Sequence, residues 1–210
     1  MNRMNRMYGC LSMLAVACGL AACGGDDAPT VAVTDLAAGA YTVSVGDANA
    51  PTVGKYYAAA DGSRLLVLAD SNDQATQLYR RAPGAAWVAV PVLGNTTVAL
   101  LRSDALPVAA VTVAAQAGSY TTLLATGGVA SFTVSATGDI TAGTSACKLS
   151  GKLAVGSLPN TLALTLSAQV CGSLPASSTG VLAVDADYAP AVRLVADNGT
   201  QLLDLWAYRE

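Results

Sequence analysis

The feature that most limits what this chain can fold into is alternation. Apolar and polar residues change places at every second position over short runs, and turn-forming residues separate the runs. In one run Ala130, Phe132, Val134 and Ala136 face one way, and Ser131, Thr133, Ser135 and Thr137 the other. Leu162, Leu164, Leu166, Ala168 and Val170 repeat the pattern. Such segments make sheets with one buried and one wet face. Strands are expected over 41–45, 55–60, 64–69, 77–81, 86–91 and 96–101 in the first half. In the second they are expected over 119–125, 130–137, 147–155, 161–171, 179–186, 191–196 and 201–208, with a short rung at 139–142 as an eighth. Asp61-Gly62 reads as a two-residue type I′ hairpin turn and Gly127-Gly128 as another turn. Residues 106–117 read as an extended link.

Composition then narrows the architecture. The 210 residues include 42 Ala and 20 Gly, so few side chains are large. A content of 53% hydrophobic and 12% charged residues argues against a disordered chain. Ala contributes little apolar area, and exposed strand edges invite association, so closure of the sheets is favoured. The fold class expected is all-β: two small antiparallel β-barrel or β-roll domains over 35–106 and 111–210, joined by a linker at 107–110. One longer sandwich or barrel is the rival arrangement.

The two halves echo each other. GKYYAAADGSRLLVLAD from Gly54 aligns with GVLAVDADYAPAVRLVAD from Gly180 after a one-residue gap, matching Asp61 with Asp187 and Asp70 with Asp197. Gly39-Ala40-Tyr41-Thr42 also resembles Gly118-Ser119-Tyr120-Thr121. A duplication would give each longer copy three consecutive strands.

The N-terminal segment reads as an address. Arg3 and Arg6 precede a run from Met7 to Ala22 without a charge, 16 residues long and short for a membrane span. Leu20-Ala21-Ala22-Cys23 follows. This tetrapeptide resembles the lipobox of bacterial lipoproteins. The resemblance implies a signal peptide over 1–22, diacylglyceryl modification of the Cys23 thiol, cleavage before Cys23 and acylation of the new amino group. Several acyl chains on one residue give a stable bilayer anchor where one would exchange. Gly24 rather than Asp follows Cys23. By the enteric sorting rule this implies an outer-membrane lipoprotein, facing either side. Loss of Arg3 and Arg6 from 11 basic residues, against 14 acidic ones, takes the net charge from -3 to -5. Residues 23–34 read as a flexible tether.

Cys147 and Cys171 then remain as a pair for an oxidising compartment. They stand 12 residues on either side of Pro159, which lies in an expected turn at 156–160. Their parities disagree. Pairing Leu153 with Leu164 sets Cys147 opposite Val170 and leaves Cys171 one residue late. A disulfide therefore requires a bulge or a strand ending between Leu166 and Cys171. Closing a loop of about 25 residues would contribute ~3–4 kcal/mol in the chain-entropy account.

Several chemistries are excluded or weak. The chain has no His, which removes Ser-His-Asp and Cys-His catalysis and the common His-containing zinc sites. Its acidic balance lacks the basic footprint of a nucleic-acid binder. Asp70, Asn72, Asp73, Asp185 and Asp187 suggest calcium only loosely, because no EF-hand loop is present. Ser145-Ala146-Cys147-Lys148 fits Ser-x-x-Lys, but enters a strand rather than opening a helix. No phosphate loop or metal motif points to a cofactor. Trp87, Trp206 and Tyr208 are the scarce large surfaces, serving either the core or a binding face. The function expected is a non-catalytic, envelope-anchored lipoprotein with a binding or structural role toward an envelope protein, glycan or small ligand. The alternative is a lipocalin-like carrier of a small apolar ligand.

Overall fold

A computed structural model describes residues 30–210, all of them outside the proposed signal peptide. Cys23, the candidate lipidation site, lies outside the described residues. The described chain is all-β, apart from two single 3-10 turns.

The second half closes. Strands β9 (Gly118–Leu123), β10 (Val129–Val134), β11 (Asp139–Ala142), β12 (Lys148–Val155), β13 (Thr161–Gln169), β14 (Ser177–Ala183), β15 (Ala191–Asp197) and β16 (Leu202–Arg209) follow each other around an antiparallel barrel. The last strand returns to the first, pairing Ala207 with Thr122 and Tyr208 with Thr121. Closure leaves this sheet without an edge. Alternation supplies the filling: Phe132, Leu149, Leu153, Leu164, Leu194 and Leu205 point inward with their neighbours, and each is buried. The interior is thus a packed core, as expected for an eight-stranded barrel of this size.

The first half does not close, which corrects the expectation of two barrels or rolls. Here β2 (Gly39–Asp47), β3 (Ala50–Ala58), β4 (Arg64–Ala69), β5 (Ala75–Arg81), β6 (Val88–Val90) and β8 (Leu100–Leu106) form an open antiparallel sheet in the order β6-β5-β4-β3-β2-β8. A separate parallel pair, β1 (Val31–Val33) with β7 (Thr96–Val98), packs against one face of this sheet. The expected strand at 96–101 is therefore split at Ala99, and the end of the supposed tether joins the fold. The Asp61-Gly62 hairpin also differs: only Gly62 takes a positive φ (95°), and five residues connect β3 to β4.

Where the alternation breaks, at β3 to β5, the open sheet is apolar on both faces. Val43, Tyr56, Leu66, Leu68, Tyr79 and Trp87 form a core on the side of β1 and β7. Tyr57, Leu65, Val67, Leu78 and Val90 face the other way and pack on Val181, Ala183, Tyr188 and Val195 from the barrel's outer wall. Strands buried on both faces read as unbroken apolar runs, which is why Leu65–Leu68 shows no polar position. The two units thus share a third core.

The predicted disulfide is present between Cys147 and Cys171. Leu153 pairs with Leu164, and Lys148 with Gln169. β13 then ends, and Val170 adopts a left-handed backbone (φ 57°). That residue turns Cys171 onto the face of Cys147, resolving the parity conflict.

Candidate functional site

The barrel and the sheet meet along a polar seam. Tyr57 on β3 donates its hydroxyl to Asp185 (2.5 Å), and Asn160 donates to the other Asp185 oxygen (2.9 Å). Asn160 also donates to the Pro107 carbonyl and accepts from the Ala109 amide, which fixes the link between the units. Burial, then the neighbouring Tyr188 and Asp185, push the Tyr57 phenol well above its ordinary pKa. Lys55 pairs with Asp187 and Arg80 with Asp197 across the same seam. Two of the acids weighed as calcium ligands are thereby engaged: Asp185 with Tyr57 and Asn160, and Asp187 with Lys55. Asp70 holds the β4–β5 turn by accepting the Asn72 and Gln74 amides (2.8 and 3.0 Å).

Arg193 on β15 is the most enclosed cation of the seam. Burial acts to lower its pKa, but hydrogen bonds and charge from Asp204 outweigh that and hold it above its ordinary value. Both Arg193–Asp204 hydrogen bonds are 2.8 Å, and Asp204 also accepts the Ala75 amide (2.6 Å) from the sheet. The guanidinium lies 4.9 Å from the Trp206 ring centroid. Tyr188 meets the same indole edge-on at 5.0 Å.

Two openings flank this seam. At one end of the shared core, a cleft of about 520 Å³ is lined by apolar Leu65, Leu78, Leu158, Ala163 and Val181. Arg64, Arg80, Arg81 and Asp197 border it. Near the other end, a groove of about 650 Å³ runs between the β4–β5 turn and the outer wall of β9 and β16. Trp206 and Tyr208 line it with Leu123 on one side and Asn72, Asp73 and Gln74 on the other.

The structure separates the aromatic candidates. Leu203, Leu205 and Ala207 take the barrel interior, so Trp206 and Tyr208 stand outside. Trp206 reaches into the shared core, whereas Tyr208 is 50% exposed. Trp87 is buried in the sheet's own core, 6.2 Å from Tyr56 and under the Arg81 guanidinium, so it lines neither opening. The Ser-x-x-Lys resemblance dissolves: Ser145 donates to the Cys147 carbonyl (2.8 Å) and Lys148 to the Gly143 carbonyl (2.8 Å). Sequence reading weighed Asn72 and Asp73 only as loose calcium ligands and missed Gln74, because only the fold brings their turn against the barrel.

Comparison of the chain with family models, with curated proteins and with solved structures returns no match.

Proposed function

We propose that this protein is a lipid-tethered envelope protein, non-catalytic, that holds a small apolar ligand in the cleft between sheet and barrel. The observation that carries the reading is the cleft itself. Its wall includes Leu65, Leu78, Leu158 and Val181, which belong to the shared core or pack against it, so a ligand seated on them would extend an existing apolar interior, with Thr and Arg side chains at its border. Its volume of about 520 Å³ falls in the range of small-molecule sites. The closed barrel gives the site one rigid wall and supports the carrier reading at the level of fold. The packed barrel interior moves the seat from the lumen to the seam. The proposal is non-catalytic because the chain has no His and Ser145 and Lys148 are bound to backbone carbonyls. The envelope location and the anchor rest on the lipobox resemblance at Cys23.

Two measurements test this. Precursor expressed in a bacterium should fractionate with membranes, and Cys23→Ala should release it into the soluble fraction; equal membrane retention would remove the anchor. The neutral fluorophore N-phenyl-1-naphthylamine should bind the mature protein with one-to-one saturation. Ala163→Trp, which fills the cleft from the barrel side, should weaken binding about tenfold or more, ~1.4 kcal/mol. Unchanged affinity in that variant would overturn the cleft as the ligand seat.

A further inference from the structure

We infer that the groove bounded by Trp206, Tyr208 and the β4–β5 turn is a second site, and that it takes an uncharged saccharide. One wall of the groove is apolar and rigid. Trp206 and Tyr208 alternate outward from β16, and Leu123 continues the same face just beyond the Ala207–Thr122 pair of β9. Leu123 and Tyr208 are 69% and 50% exposed, a contiguous apolar surface on an otherwise polar strand face. The indole is fixed between Tyr188 and Arg193. With Arg193 over one face of that indole, the exposed Tyr208 ring is the π-surface this wall offers to the C–H face of a sugar ring.

The opposite wall is polar and equally fixed. Besides the two amides bonded to Asp70, the Asp73 amide donates to the Asp70 carbonyl (3.1 Å) and the Asp70 amide to the Gln74 carbonyl (2.9 Å). From the barrel side, Arg193 donates to the Asp73 carbonyl (3.0 Å) and Asp204 accepts the Ala75 amide. The backbone of this turn is therefore held on two sides. The side chains of Asn72, Asp73 and Gln74 are all exposed, and that of Asn72 bonds to the Asp70 carboxylate at the base of the turn. Two amides and a carboxylate supply donors and acceptors in a short row, which suits neighbouring hydroxyls that each donate and accept.

Charge selects among ligands. The Asp73 carboxylate is unpaired among the described residues, whereas Arg193 is spent on Asp204. The groove thus has no free cation among its lining residues and one free anion, which disfavours phosphate or carboxylate ligands. A purely apolar ligand would strip water from three polar side chains without replacing their hydrogen bonds. A neutral sugar satisfies both walls.

The test is binding of the mature protein to an array of neutral oligosaccharides, followed by solution titration of any retained glycan. At least one neutral glycan should be retained. Tyr208→Ala and, separately, the double variant Asn72→Ala/Gln74→Ala should each weaken it about tenfold or more, with melting temperature held near that of the parent. Ala163→Trp should leave it unchanged, since that residue lines the other cleft. Retention of no neutral glycan, or binding that survives both groove variants, would overturn the proposal, as would displacement of the glycan by N-phenyl-1-naphthylamine in the Ala163→Trp background.

Discussion

Tyr57 concentrates the physics of the seam in one hydroxyl. Its ring is 1% exposed, and its oxygen donates to Asp185, itself buried. Removing the hydroxyl in Tyr57→Phe leaves an Asp185 oxygen without that donor in a site that water does not replace. The expected cost is about 1–3 kcal/mol in urea unfolding at pH 7. The pH dependence has a definite sign. The phenol's pKa is raised in the folded state, so the fold favours the protonated form. That stabilisation is complete below the unfolded value near 10 and declines as pH rises through it toward the folded value. The stability difference between wild type and Tyr57→Phe should therefore shrink above pH 10. A difference that stayed constant or grew through that range would contradict the role assigned to this hydroxyl.

At the scale of elements, local pattern carried the strands and the closure of the second half, but not the openness of the first. Most strands of the barrel alternate, β15 being buried on both faces, so the eight runs of the second half, including the short rung at Asp139–Ala142, were legible. The echo also has a structural counterpart. Residues Gly54–Arg80 and Gly180–Arg209 each supply three consecutive antiparallel strands, β3–β5 and β14–β16. Asp70, just after β4, and Asp197, the last residue of β15, each accept the amide two residues on, at 2.8 and 2.7 Å. Tyr41 and Tyr120, in the second pair of similar segments, each donate a hydroxyl to the carbonyl four residues earlier. Local sequence could not reveal which strand ends meet. β16 finds β9 and closes the barrel, while β8 finds β2 and leaves β6 unpaired on its far side. β1 escaped notice because three residues are too few to show a period, and its partner β7 lies more than sixty residues away. Trp206 and Tyr208 were legible as candidates, but their direction depended on which residues of β16 faced the lumen. Parity did fix Cys171, since a disulfide was possible only if the strand stopped before it.

The whole molecule should unfold as one cooperative object rather than two beads. An open sheet with both faces apolar would leave Tyr57, Leu65, Val67 and Leu78 in water if it stood alone, and the barrel would expose Val181, Ala183 and Val195. Burying these against each other couples the stabilities of the halves, and the ion pairs and hydrogen bonds of the seam fix their register. The two tryptophans sit where they can report on this coupling. Trp87 lies in the core that belongs to the sheet, and Trp206 on the barrel side of the seam. Equilibrium unfolding followed by fluorescence in Trp206→Phe, which reports Trp87, and in Trp87→Phe, which reports Trp206, should each track far-ultraviolet circular dichroism of the same variant. Leu78 is on the sheet but packs toward the barrel, at 1% exposure. Leu78→Ala should therefore cost about 2–5 kcal/mol and move the Trp87 and Trp206 transitions together. If the cavity shifted the sheet's transition and left the barrel's in place, the shared core would be a contact between independent domains. The ligand cleft at its open end would then be a gap between them rather than a site.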